Sequence, residues 1–393
     1  MNTISNILIF IYVLSFGIFD NSTFINFFYV CNIFIFAFFT LKIFFLSEKT
    51  IFKVNKVVIS YVIFTCYAFL STLWSINPEM AFERSVTLLL ISFNIFYFYN
   101  FASSKDGLKY ALWGVVAISL VNSLVSFNFF PFSYDNLWNN YRYQGLSINS
   151  NLLAIYVSTS IVASYMLLSF KLAPYQLFAL FLNLFSTHYV VFITLSRKGL
   201  FLAFLFSLFF FIKYYSTIKK SNQKINTLMV LPITLLILLF AFSTLATQIQ
   251  FDFFSIQERL RDRMLSLIYL DDGSAIYRLY YFRQGLDIFF ENPLFGIGIN
   301  QYQVVIGDYS HSNLIEMLSC LGLVGFVSYY SLHVNLIMEL KNFKSEKFIF
   351  FSIILSFIAL DIGLVSYYLK YYILFLLILS IYLEKKENNE LEV

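Results

Sequence analysis

Long apolar stretches alternate with short polar segments along the whole chain of 393 residues. A helix that crosses a bilayer needs about 20 apolar residues, and twelve stretches of this chain approach or reach that length. They are residues 4–20, 24–46, 57–75, 86–102, 109–131, 149–170, 175–195, 199–215, 227–246, 312–334, 347–365 and 368–384. The pattern predicts an all-α polytopic membrane protein with about 12 transmembrane helices, in one integral membrane domain over residues 1–393.

One polar segment is much longer than the others, and we predict that residues 247–311 form an extracytoplasmic loop between spans nine and ten. Its charge pattern predicts an amphipathic helix over 253–269, then a second helix that ends near Glu291, because Asn292-Pro293 cannot continue it. The predicted buried face of this second helix consists of Leu279, Phe282, Leu286 and Phe289. We expect Gly296 and Gly298 to loosen the chain beyond it.

The composition supports a membrane protein and excludes several other classes. The chain is 60% hydrophobic and 12% charged, with a mean hydropathy of +0.76, and a soluble domain would carry about twice that charge. The net charge of +4 is spread over short loops, so no nucleic acid partner is expected. The three cysteines lie in apolar runs without metal-ligand spacing. The opening segment lacks a basic region and a cleavage site, which indicates a retained first span.

Lysine and arginine separate onto opposite ends of the predicted spans. Sixteen of the 18 lysines fall at one set of span ends, which the positive-inside rule assigns to the cytoplasm together with both termini. The other set carries Lys198, Lys370 and all eight arginines, at positions 84, 142, 197, 259, 261, 263, 278 and 283. Arginine binds phosphate and carboxylate in a planar, bidentate manner. The outer face is therefore predicted to hold an anion.

Two groups of cations are candidates for that anion site. Arg197 and Lys198 stand in a very short turn at the outer surface, where either a bound anion or snorkelling at the membrane interface explains them. Arg278 lies on the second loop helix, and its alternative role is to pair with Asp271, Asp272 or Asp287. The long loop has five arginines against eight acids, so an anion site requires a local convergence of arginines.

His311 is the candidate base, because it lies at the outer boundary of span ten and histidine ordinarily titrates near neutral pH. Glu316, one turn further on, either orients His311 or only supports the local structure, and Asp361 is a further possible partner. His188 and His333 lie within or at the end of apolar spans. For them a packed, hydrogen-bonded role is expected.

Several of these spacings resemble the O-antigen ligase and O-antigen polymerase superfamily of bacterial envelope glycosyltransferases. The resemblance covers most of the chain and is strongest from Arg278 through Asn292-Pro293-Leu294-Phe295-Gly296-Ile297-Gly298 to His311-Ser312-Asn313-Leu314-Ile315-Glu316. The Ser196-Arg197 turn looks like the family's arginine turn. A weaker likeness is Arg142-Tyr143-Gln144-Gly145.

The resemblance implies a GT-C-like membrane fold and a glycan donor on undecaprenyl pyrophosphate. It implies that His311 activates the acceptor hydroxyl and that Arg197 and Arg278, helped by Lys198 and Arg142, bind the pyrophosphate. Glu316 and Asn313 are supporting residues. The family implies no metal, no cofactor and a periplasmic active face in the bacterial inner membrane, and a chain-length regulator is a candidate partner.

Three functions remain open at this point. Ligases of the family often carry a histidine two residues before the main one and an asparagine directly after it. Here those positions are Tyr309 and Ser312, which favours a polymerase that joins lipid-linked repeats over a ligase that transfers glycan to the lipid A core. A flippase or exporter of the same lipid would carry charged or broken-helix features at the midplane, whereas these spans are almost free of charge.

Overall fold

The computed structural model describes residues 2–18, 25–45, 53–127, 137–139, 142–147, 149–220, 273–343 and 346–391, with 258 and 261. In this part of the chain, seven helices are long and apolar enough to cross a membrane. They are Lys56–Trp74, Pro78–Ala102, Lys105–Ser126, Ser150–Leu167, Pro174–Ile193, Arg197–Thr217 and Asn313–Glu339. The predicted all-α membrane class is confirmed. The number of twelve spans stays a prediction, because residues 227–246 lie outside the described ranges, as does most of the helix predicted over 253–269.

The described helices follow the apolar stretches in order, and one short hairpin interrupts them. The helices are α1 Asn2–Ile18, α2 Ile25–Phe45, α3 Lys56–Leu70, α4 Pro78–Ala102, α5 Lys105–Ser126, α6 Ser150–Leu167, α7 Pro174–Ile193, α8 Arg197–Lys220, α9 Gly273–Glu291, α10 Tyr302–Ile306, α11 Asn313–Glu339, α12 Lys347–Leu360 and α13 Lys370–Glu387. Single 3₁₀ turns follow α3 at Ser71–Trp74 and α11 at Leu340–Asn342. The hairpin pairs β1 Trp138–Asn139 with β2 Arg142–Tyr143 in antiparallel register.

Polar caps explain where several of these apolar helices begin. Asn55, Asn77, Ser104 and Asn149 each accept a hydrogen bond from a backbone amide of the first turn of α3, α4, α5 and α6, which satisfies a donor that the helix itself leaves unpaired. Pro78 adds a favourable first position. As a consequence α4 begins earlier than the predicted span, and residues 78–85 are helical, not a loop.

The described chain forms two compact units. Unit 1 comprises residues 1–50, 104–268 and 389–393. In it α5 packs against α1, α6 and α7, and α6 also packs against α7 and α8. Buried polar groups join α5, α6 and α7 around Asn183, which accepts hydrogen bonds from Ser119 and from Ser160 (3.0 Å) and donates to Ser164 (2.9 Å). Such interhelical bonds hold together helices that are apolar on all sides.

Unit 2 comprises residues 51–103 and 269–388. Here α3 packs against α4 and α11, α9 packs against α11, and α13 contacts α3, α4 and α11. The predicted helix before Asn292 is present as α9, but its predicted buried face is only partly right, since Phe282, Leu286 and Phe289 are half-buried. Leu279 is exposed, whereas Gly285 and Ile288 are buried, because Gly285 lets the α9 backbone approach Ile315 of α11.

Helix α11 is broken at Gly322, which has the left-handed φ of 62°. Residues 292–298 pair with the backbone groups around the break, since Gly298 N donates to Cys320 O (2.8 Å) and Leu323 N donates to Pro293 O (2.9 Å). A Cβ on Gly296 or Gly322 would collide with the facing backbone. The expectation that Gly296 and Gly298 loosen the chain is therefore wrong, because these glycines permit close backbone contact.

Candidate functional site

In unit 1, the turn that carries Arg197 has strained backbone. Leu195 has a φ of 52°, which a side chain with a Cβ rarely adopts. Hydrogen bonds maintain the turn, since Ser196 N donates to Thr194 Oγ1 (3.3 Å) and Gly199 N donates to Ser196 Oγ (3.3 Å). Ser196 thus caps α8, and Arg197 is its first residue.

Arg142 fastens this turn to its neighbours. Its Nε donates to Thr194 O (3.0 Å), and its Nη2 donates to Asn151 Oδ1 (2.8 Å). One side chain therefore connects strand β2, the first turn of α6 and the end of α7. The structure places this predicted anion ligand against the strained turn that leads into Arg197.

Arg197 and Lys198 occupy the first turn of α8 and are both half-buried. The N-terminal end of a helix already carries about half a positive charge, and the two cations add to the positive charge there. The same end offers backbone N–H groups to a phosphate. Anion binding by Arg197 and Lys198, with interfacial snorkelling as its alternative, stays a prediction.

In unit 2, His311 lies on a strained segment that leads into α11. Its φ is 58°, which is uncommon outside glycine and clusters at functional positions in proteins. The ring of Tyr309 lies against it with centroids 3.9 Å apart, and the ring of Tyr281 from α9 is 5.7 Å away. Two aromatic side chains therefore hold the imidazole just before the first residue of α11.

Arg278 belongs to the same group of residues. Burial and the nearby Asp308 and Tyr368 raise the pKa of Tyr309, and Arg278 acts in the opposite direction. The guanidinium therefore lies within electrostatic range of the phenol that contacts His311. The structure thus brings two predicted site residues, Arg278 and His311, to one tyrosine.

Arg84 is a neighbour of this region that the sequence-based reasoning did not select. Its guanidinium lies over the ring of Tyr368, 3.9 Å from the centroid, and its Nη2 donates to Asn300 Oδ1 (3.3 Å). Asn300 has a φ of 61°. The available signal was the position of Arg84 among the outer arginines, one turn after the Asn77-Pro78 helix start.

Glu316 faces Arg84 and Ser310. Its side chain is only 4% exposed, and its carboxylate interacts with Ser310 and, electrostatically, with Arg84. Its Oε2 atom is buried without a hydrogen-bond partner. A buried carboxylate needs hydrogen bonds or a positive charge nearby, and here Ser310 and Arg84 supply them. Glu316 therefore supports the segment before His311 and keeps the positive charge of Arg84 near it.

Asn313 connects the start of α11 to the turn after α12. Its backbone N donates to Asp361 O (2.8 Å), and its Oδ1 accepts from the backbone N–H groups of Ser366 and Tyr367 (both 3.1 Å). Its Nδ2 donates to Asp361 Oδ2 (3.3 Å). Asn313 and Asp361 therefore order the turn that carries Tyr368.

The other two histidines lie elsewhere. His188 is hydrogen-bonded to Leu184 O (2.7 Å) and to Ser207 Oγ (3.4 Å), and His333 is buried with its Nε2 3.3 Å from Tyr372 Oη. Both have the hydrogen-bonded surroundings expected of them.

Comparison with known families identifies a related family. Residues 178–330 match the model of a family described as O-antigen ligase, a range that includes Arg197, Arg278 and His311. The match confirms the resemblance to the O-antigen ligase and polymerase superfamily. None of the curated proteins compared with the chain matches it.

Proposed function

From the O-antigen ligase family match, which indicates a membrane glycosyltransferase-like enzyme, we propose that this protein is a polysaccharide polymerase. It joins oligosaccharide repeats carried on undecaprenyl pyrophosphate at the periplasmic face of the inner membrane. The observation that carries the proposal is His311, held on strained backbone against Tyr309 with Arg278 in electrostatic range.

In the proposed reaction, His311 accepts the proton of an acceptor sugar hydroxyl. The freed oxygen attacks the anomeric carbon of the donor, a new glycosidic bond forms, and the bond from that carbon to the pyrophosphate oxygen breaks. The pyrophosphate leaves with the electron pair. Direct attack from the opposite side inverts the anomeric centre.

The proposed role of the arginines is to stabilise the charge that develops on the leaving pyrophosphate. Arg278 lies within electrostatic range of Tyr309, which contacts His311. In unit 1, Arg197 and Lys198 add side-chain charge to the helix N-terminus of α8, and Arg142 positions the turn that presents them. Arginine donors perform this task without a bound cation.

The second candidate is an O-antigen ligase, which the description of the matching family favours. Cells that lose a polymerase keep a lipid A core capped with a single repeat. Cells that lose a ligase carry bare core and accumulate polymer on the carrier lipid. Deletion of the gene followed by electrophoresis of the lipopolysaccharide separates the two.

The direct test measures elongation of lipid-linked repeats in membranes that contain the His311→Ala protein. Loss of a general base typically costs 10²–10⁴-fold in rate, so we expect elongation to fall by at least about 100-fold. His188→Ala, which removes a histidine bonded to Leu184 O and to Ser207 of α8, is the matched control and should retain activity. Elongation at the normal rate by His311→Ala would exclude the assigned role.

A further inference from the structure

Tyr309 is a contacting residue of His311 that nevertheless remains open to solvent. It is 48% exposed although its ring lies 3.9 Å from the imidazole. On α9, Tyr277 and Tyr280 interact electrostatically with Tyr281 and are also exposed. An aromatic ring offers a flat apolar face and, in tyrosine, a polar edge. This surface is available beside the proposed base.

Asp308 supplies a fixed carboxylate at the same place. Tyr281 Oη donates to Asp308 Oδ2 (3.2 Å), and the backbone N of Tyr309 donates to Asp308 Oδ1 (2.8 Å). A carboxylate has about four acceptor positions, and these two bonds leave acceptor capacity on both oxygens. The half-buried Asp308 is thus held in place with lone pairs to offer to a hydroxyl-bearing ligand.

We propose that Tyr309, Asp308 and Tyr281 form the subsite for the acceptor sugar, an inference that rests on the proposed function. A pyranose ring has an apolar face of C–H groups, which stacks on Tyr309, and a rim of hydroxyl groups, which donate to Asp308. A ring bound in this way presents one hydroxyl to His311. Tyr309 then determines which acceptor ring fits.

The charge of the subsite distinguishes acceptor from donor. Asp308 would repel the phosphates of the donor, whereas a neutral sugar hydroxyl gains a charge-assisted hydrogen bond. Two positive groups of this unit lie nearby: Arg278 interacts with Tyr309, and Arg84 interacts with Glu316. The pyrophosphate is therefore assigned to arginine and the acceptor ring to the tyrosine and aspartate.

The test measures binding of the free repeat oligosaccharide, released from its lipid by mild acid, without any turnover. The purified His311→Ala protein in detergent is irradiated at aromatic frequencies, and saturation transfer to the sugar C–H protons is recorded by NMR. We expect a signal that falls at least about fivefold when Tyr309→Leu is added and that persists with Tyr309→Phe, which keeps the ring. Asp308→Ala should also weaken the signal.

Tyr215→Leu, which removes an exposed tyrosine of α8, is the control and should leave the signal unchanged. An undiminished signal in both the Tyr309→Leu and the Asp308→Ala proteins overturns the subsite. Tyr309-dependent binding, combined with no elongation by the protein that retains His311, would instead contradict the polymerase proposal and leave the sugar subsite standing.

Discussion

The guanidinium of Arg84 lies 3.9 Å from the ring centroid of Tyr368. This contact joins the second turn of α4 to the turn after α12, which Asn313 and Asp361 order. Tyr368 in turn interacts electrostatically with Tyr309. Arg84 therefore belongs to the surroundings of His311, although it lies far from it in the sequence.

Arg84→Met should destabilise unit 2. The change removes a cation–π contact and a charged hydrogen bond to Asn300 and leaves Glu316 without its positive neighbour, at a combined cost of about 1–3 kcal/mol. The measurement is the thermal unfolding midpoint of the purified protein in detergent. Glu316→Gln in the same protein should recover part of the loss. Arg283→Met, on the exposed side of α9, is the control, and an equal loss there would contradict the assignment.

Asn151→Ala should reproduce part of the effect of Arg142→Ala. If Arg142 acts by holding the turn at Thr194, removing its partner Asn151 loosens the same turn and lowers elongation activity. The double variant should then lose less than the two single losses combined. Activity is measured in membranes, with Lys171→Met as an exposed-cation control in unit 1. Fully additive losses would mean that Arg142 acts independently of Asn151.

Asn183→Leu tests the buried polar contacts of unit 1. Leucine has a similar size but leaves the hydroxyl groups of Ser119, Ser160 and Ser164 without their shared partner, which should cost about 1–3 kcal/mol. Unfolding in a denaturing detergent titration reports the change. Asn94→Leu, on an exposed part of α4 where the amide binds Leu90 O, should be close to neutral. A neutral Asn183→Leu variant would show that the polar contacts contribute no stability.

Gly322→Ala should be more damaging than Gly307→Ala. Both glycines have positive φ, of 62° and 88°, but a Cβ at residue 322 meets the backbone of Leu294, whereas at residue 307 it meets nothing. A Cβ in left-handed backbone costs about 1–2 kcal/mol, and a steric collision adds to this cost only at Gly322. The yield of folded protein after size-exclusion chromatography compares the two. Equal yields would refute the close contact of the broken helix.

The sequence was sufficient for the parts of the molecule that depend on local pattern. The apolar stretches predicted the described helices, and Asn292-Pro293 predicted the end of α9. His311 was selected from its position at the outer boundary of span ten and Arg278 from its place on the second loop helix, and in the structure both interact with Tyr309.

The parts that were missed depend on contacts between distant segments. Arg84 was assigned to a loop because Pro78 as a helix start was not recognised, and its stacking on Tyr368 leaves no local signal. Gly296 and Gly298 were interpreted as flexible, since a sequence shows the glycine and not the backbone that approaches it. Arg142 was selected for its charge, while its contacts with Thr194 and Asn151 arise only from the fold.

The broken helix α11 also has a consequence for how the nascent chain enters the bilayer. Carbonyl groups left unpaired in hydrocarbon cost several kcal/mol each, and those of Ser319 and Cys320 receive hydrogen bonds from Ile297 and Gly298. Residues 292–298 leave the ribosome before α11 does. We therefore expect the translocon to release residues 292–324 into the lipid as one hairpin. Residues 292–298, which pair with the backbone around Gly322, are then already present when Gly322 is synthesised.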